Sequence, residues 1–176
     1  MNGIKVGNPL PLGSSITSEG VNFSLIASNA EYVEILLFDK EDDVVPKTVI
    51  KLDNNHKTGP YWHAEINTLK EGAIYAFRIK QKNNELNKNY SKTVLIDPCS
   101  RGITGWSIYK RKNALNNSSN IDSCLKSVVC DRKLFNFKDF PRPKHSWEET
   151  IIYELHIKAF TQPSEEESCF KNFLKK

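Results

Sequence analysis

The sequence predicts a mainly β protein: an immunoglobulin-like antiparallel β-sandwich over 1–98, an irregular linker over 99–147, and from 148 to 176 the opening of a second structure. Three observations carry this reading. Short runs that alternate apolar and polar residues recur between turn-forming residues over about ninety positions, as in a sandwich of six or seven strands. From Cys99 to Lys144 that alternation dissolves into charged, asparagine-rich chain. Finally, Ile151–Phe160 is almost continuously apolar and rich in β-branched and aromatic residues. Such a run fits a strand covered on both faces, as in a parallel sheet, better than an amphipathic helix.

The elements follow in order. Asn8-Pro9-Leu10-Pro11-Leu12-Gly13 is extended and turn-prone, because proline excludes helix and pushes its predecessor toward extended backbone. Val21, Phe23 and Leu25 alternate with Asn22 and Ser24, the period of a half-buried strand. A turn at Asn29-Ala30 leads to a strand over Tyr32–Phe38 that presents Val33, Ile35 and Leu37 on one face. The acidic loop Asp39–Asp43 is the expected hairpin tip, and a weaker strand follows at Thr48–Leu52. Beyond the turn-rich Asp53–Gly59, the segment Tyr61–Ile66 alternates again, with Trp62, Ala64 and Ile66 on one face and Tyr61, His63 and Glu65 on the other. A turn at Leu69–Gly72 precedes a strand over Ala73–Lys80. Gln81–Ser91 reads as a long loop, Thr93–Ile96 as a last short strand, and Asp97-Pro98 as the turn that ends it. Within the linker, Asn113–Asn120 is a loop and Cys124–Val129 a short extended piece, while Phe135, Phe137 and Phe140 are spaced as anchors on a neighbouring surface.

Composition narrows the function. Hydrophobic residues at 39% and charged residues at 26% lie in the globular range. The net charge of +4 is scattered rather than gathered into a basic, aromatic-bearing face, so nucleic acid is not an expected partner. No apolar run approaches the roughly 20 residues needed to cross a bilayer, and Met1–Gly7 has no apolar leader; a cytoplasmic protein without a membrane partner is expected. Cys99, Cys124, Cys130 and Cys169 lack the Cys-x-x-Cys spacing of a zinc or redox site, so free thiols are expected and neither metal nor cofactor is implied. Glu154 and His156 alternate with Leu155 and Ile157 and are read as structural.

Exposed aromatic rings are the functional candidates, because sugars dock their apolar C–H faces on rings while nearby polar groups fix orientation. Tyr61, Trp62, His63 and Trp106 are the candidate carbohydrate-binding residues. Trp62 shares a face with Ala64 and Ile66, which favours a core position, whereas Tyr61 and His63 are expected to face outward. Trp106 and Tyr109 fall in the irregular segment and are expected either at the surface or packed against the remainder of the second structure. His56, in a polar loop, is read as a solvated side chain.

Several of these stretches carry a family resemblance. Pro11-Leu12-Gly13, Gly20-Val21-Asn22-Phe23-Ser24-Leu25 and Val33-Glu34-Ile35-Leu36-Leu37-Phe38-Asp39 resemble the N-terminal module of isoamylase-type glycogen and starch debranching enzymes. Gly59–His63, Glu71–Arg78, Leu95-Ile96-Asp97-Pro98 and Pro143–Trp147 continue the match in order, and Ile152–Thr161 resembles the first barrel strand of glycoside hydrolase family 13. The resemblance implies a β-sandwich of carbohydrate-binding module family 48, followed by the first strand of an incomplete (β/α)8 barrel. Such a barrel takes about 250 residues. The retaining mechanism needs two carboxyl groups about 5–5.5 Å apart, which the family draws from later strands than this sequence reaches. No catalytic residue is therefore assigned. The expectation is a truncated debranching enzyme, inactive alone, that at most binds α-glucan weakly. The alternative is a subunit that docks on a separately encoded catalytic barrel.

Overall fold

The structure, a computed structural model, describes residues 3–81, 92–114, 119–131 and 144–156. The chain divides into two compact units, Met1–Phe135 and Asn136–Lys176.

The first unit is a sandwich of two antiparallel sheets. One sheet comprises β1 (Ile4–Lys5), β2 (Gly13–Ile16), β3 (Val21–Ile26), β6 (Lys57–Thr58) and β7 (Tyr61–Ile66). Its strands run in the order β1-β7-β3-β2, with β6 also on β7. The other comprises β4 (Ala30–Phe38), β5 (Thr48–Leu52), β8 (Ile74–Gln81), β9 (Gly102–Thr104) and β10 (Lys126–Val128), in the order β5-β4-β8-β10-β9. Thr48–Leu52 and Tyr61–Ile66 form strands with the bounds that their alternation predicts.

The core lies where the two alternations face each other. Val21, Phe23, Trp62, Ala64 and Ile66 of the first sheet meet Val33, Ile35, Leu52, Tyr75 and Phe77 of the second. Phe23 and Tyr75 pack edge to face with ring centres 4.8 Å apart.

Several expectations are corrected. The outer face of β4 is covered as well, because Leu36 and Phe38 pack with Ala76, Val94 and Cys124 in a second apolar cluster. Thr93–Ile96 forms no strand; Leu95 alone bridges Phe77. The sandwich does not stop at 98. β9 and β10 arise inside the expected linker, and β10 pairs with β8 through Ser127 opposite Tyr75 and Val128 opposite Ile74. Strands this short bury too few side chains to show a period, so the sequence pattern cannot mark them. A single helical turn, α1 (Arg111–Ala114), lies between them.

His63 is also corrected: it is 2% exposed rather than outward-facing. Residues 6–9 run across the outer face of the first sheet. Asn22 exchanges two hydrogen bonds with the Asn8 backbone, and Ser24 donates one to the Pro9 carbonyl at 2.6 Å. His63 sits in the same layer, with Nδ1 2.7 Å from the Val6 carbonyl and Nε2 2.9 Å from Thr58 Oγ1. His56 is likewise no free solvated ring, since Nδ1 lies 2.8 Å from Asp53 Oδ1.

The described part of the second unit shows no paired strand. Ile151, Ile152 and Tyr153 are exposed, Ile151 to 94%. Among the described residues, 151–156 pair with no other strand. A strand covered on both faces needs neighbours to satisfy its backbone, and the remainder of the expected strand, through Phe160, lies outside the described residues. Residues 1–2, 82–91, 115–118, 132–143 and 157–176 lie outside the described residues, and with them the loop expected over 81–91 beyond Gln81, the middle of the loop expected over 113–120, the spaced phenylalanines and Cys169.

Candidate functional site

Trp106 is 66% exposed, and it stands on a turn built to hold it. β9 ends at Thr104, opposite Lys126 of β10. The next residue, Gly105, has φ +94°, and a Cβ there would lie 3.2 Å from the Cys124 carbonyl oxygen, so the position requires glycine. The Ile108 amide donates to the Gly105 carbonyl at 3.2 Å and closes the turn with Trp106 at its tip. Tyr109 stands edge-on to Trp106, with ring centres 6.1 Å apart and planes at 79°.

A single carboxylate fastens this turn to the sandwich. Glu41, in the loop after β4, accepts from Thr104 Oγ1, from the Gly105 amide at 3.0 Å and from Ser107 Oγ at 3.3 Å. The hydroxyl of Thr104, followed by the Gly105 amide, holds the Glu41 carboxyl below its ordinary pKa, because both bonds favour the charged form. Lys126, fully buried, donates from Nζ to the Glu41 backbone carbonyl at 2.6 Å and lies 4.8 Å from the Phe38 ring centre. Tyr109 also lines a half-open cleft of about 180 Å³, together with Thr93, Val94, Asn120, Cys124 and Leu125. The buried Thr93 hydroxyl has no hydrogen-bond partner among the described residues.

The four sequence candidates do not converge. Trp62 is core, 2% exposed, with its indole N–H donating to the Ala27 carbonyl at 3.1 Å and Lys57 Nζ 4.9 Å from its ring. His63 is buried beside it on β7, and Tyr61 is half-buried at the start of that strand. These three belong to the first sheet, whereas Trp106 follows the last strand of the second. Glu41 and Lys126 escaped sequence reading, because a glutamate in an acidic loop and a lysine in an aperiodic stretch give no local signal. Cys99 is exposed, Cys124 buried and Cys130 half-buried; burial raises the Cys124 thiol pKa. Among the described residues no helix is long and apolar enough to cross a membrane.

An exposed indole on a fastened turn, with a second ring, hydroxyls and a carboxylate around it, can stack an apolar ring face and hydrogen-bond its rim. Comparison with known proteins places the scaffold. Residues 11–100 match carbohydrate-binding module 48, described as the isoamylase N-terminal domain. The glycogen debranching enzyme of Erwinia tasmaniensis is 34% identical over 167 residues, which cover 90% of this chain and 24% of that protein. The glycogen debranching enzyme of Pectobacterium carotovorum subsp. carotovorum is 29% identical over 166 residues, again 90% and 24%. The chain thus spans about a quarter of the length of these curated relatives. Among solved structures, the catalytic module of the pneumococcal glycogen-degrading virulence factor SpuA shares the fold, with a TM-score of 0.51 at 17% identity over 72% of this chain and 17% of that one. With two antiparallel sheets in place and more than half of its length matched, this chain belongs to carbohydrate-binding module family 48, the family of isoamylase N-terminal domains.

Proposed function

We propose that this chain is the N-terminal, α-glucan-binding region of a debranching-type glycoside hydrolase, and that it holds glucan by stacking on Trp106. The relatives' activity on glycogen supports the substrate class. The observation that carries the reading is the exposure of Trp106 on a turn fixed by backbone and side-chain bonds. A ring already held in place loses little freedom on binding, so more of the stacking energy appears as affinity. The contribution assigned to this chain is attachment to substrate, with no residue assigned to bond cleavage.

Affinity electrophoresis of the purified chain, through gels with and without glycogen, tests this. Retardation by glycogen is expected, and Trp106→Ala is expected to abolish it while Tyr61→Ala leaves it in place. A wild-type chain that migrates identically in both gels overturns glucan binding. A Trp106→Ala chain still retarded overturns the site.

A second reading is favoured by one specific observation: Trp147, Ile151, Ile152 and Tyr153 are all exposed. An exposed apolar run such as Ile151-Ile152-Tyr153, with Trp147 a few residues before it, suits a protein surface, and docking on a separate catalytic domain would cover it. Replacing Ile151 and Ile152 with serine should then abolish co-elution with such a domain on size exclusion while glycogen retardation persists.

A further inference from the structure

We infer that Glu41 is a positioning residue for Trp106, the strut that converts an exposed indole on a surface turn into a pre-organised binding ring. The inference rests on the reading that Trp106 stacks glucan.

Three donors point at one side chain, and they bracket one residue. Thr104 and Gly105 precede Trp106 and Ser107 follows it; the first two meet Glu41 Oε2 and the third meets Oε1. Among the described residues, no other carboxylate accepts a hydrogen bond from this turn. Glu41 is 63 residues from Thr104 in the chain, so nothing local enforces the arrangement. Its own backbone is held in turn by Lys126, which lies on the strand that pairs with β9. The contacts form a closed circuit. The loop after β4 is gripped by Lys126; Lys126 belongs to β10; β10 carries β9; and β9 delivers Thr104 and the Trp106 turn back to Glu41. Such a circuit resists displacement of Trp106 in any direction that lengthens one of its bonds, and charge-assisted bonds to a carboxylate are the stronger kind.

Glu41 does this without occupying the indole. All of its bonds to the turn go to backbone or hydroxyl groups beside Trp106, which leaves the ring itself for a ligand. The chemistry also ranks two substitutions. Glutamine retains one acceptor oxygen for Thr104 and Gly105 but presents an amide N–H₂ to Ser107. Alanine removes every acceptor.

The test uses the full chain with Trp147→Phe as background, so that Trp106 is the one exposed indole beside the buried Trp62. Two quantities are measured for Glu41, Glu41→Gln and Glu41→Ala: quenching of Trp106 fluorescence by acrylamide without ligand, and the dissociation constant for maltoheptaose. The expected result is a higher quenching rate and a Kd raised about tenfold for Glu41→Ala, the scale of one lost charged hydrogen bond. Glu41→Gln is expected to fall between alanine and wild type in both. Unchanged quenching in Glu41→Ala overturns the positioning role, including when affinity falls, since Glu41 would then touch the ligand directly. Absence of maltoheptaose binding in the wild-type background overturns the glucan reading instead, and the quenching data still decide whether Glu41 holds Trp106. Circular dichroism melts of the variants separate a loosened turn from a lost fold; a Glu41→Ala chain that unfolds as a whole overturns the local role.

Discussion

The Tyr75 hydroxyl donates a 2.6 Å hydrogen bond to Asp97 Oδ2, and both residues are buried. Tyr75 comes from the middle sheet strand β8 and Asp97 from the turn after Leu95, so this bond ties the connecting chain to the core. The other Asp97 oxygen accepts from the Cys99 amide at 2.8 Å, and the Asp97 amide donates to Ser127 Oγ of β10 at 2.9 Å. A residue read from sequence as a strand-ending turn is thus the knot of a buried polar network.

Removing the phenol should therefore destabilise the sandwich. Tyr75→Phe keeps the ring contacts with Phe23 and Phe77 but leaves the carboxylate short of a donor. The expected loss is about 1.5–3 kcal/mol, the range for a hydrogen bond to a charged group. Urea denaturation followed by tryptophan fluorescence measures it.

The same pair sets a pH dependence. Burial raises the Asp97 carboxyl above its ordinary value of 3.8, outweighing the Tyr75 and Cys99 hydrogen bonds that lower it. A pKa raised in the folded state means that the fold binds the proton more tightly than the unfolded chain. The stabilisation is complete below the unfolded value and is lost as pH rises through the folded one. Asp97→Asn removes that term. Stability curves from about pH 3 to pH 7 should show wild type losing ground to Asp97→Asn across this window and running parallel above it. Wild type gaining stability on Asp97→Asn as pH rises through this window contradicts the assignment.

The domain boundary predicts the behaviour of truncations. Ending the chain at residue 98 removes β10 from the edge of β8, takes Val129 from the core and strips Ser127 from Asp97. It also deletes the Val129 bonds to Gly72 and Ala73, both 2.9 Å. A 1–98 fragment should show no cooperative thermal transition by circular dichroism, whereas 1–135 should melt as the sandwich does in the full chain.

Two glycines offer a matched pair. A Cβ on Gly20 would lie 2.2 Å from the Ile66 carbonyl oxygen and 2.6 Å from Asn67 Cα, both backbone atoms that cannot swing aside. Gly72 has φ +82° but open space around it. Gly20→Ala should cost about 2–4 kcal/mol by forcing β3 off β7, and Gly72→Ala about 1 kcal/mol from backbone strain. Thermal denaturation of both variants gives the comparison, and equal losses would contradict it.

Much of the sandwich was legible because alternation is a local property. Val21-Asn22-Phe23-Ser24-Leu25 and Tyr61-Trp62-His63-Ala64-Glu65-Ile66 each declare a strand and an apolar face within six residues, and both faces enter the core as their pattern indicates. Alternation says nothing about what covers the other face. His63 and Asn22 are buried because residues 6–9 cross over them, and Leu36 and Phe38 because Val94 and Cys124 do. Those partners lie 14 or more residues away, and no pattern within a strand encodes them. The candidate site shows the same division. Trp106 could be named from its residue type and its place in a polar stretch, but its turn is held by Glu41 across more than sixty residues and braced by a lysine from a strand too short to have a period. Local periodicity specifies the strands and their inward faces; burial of the outward faces, and the fastening of the one well-exposed tryptophan of the sandwich, arise from long-range contacts that exist once the two sheets have closed.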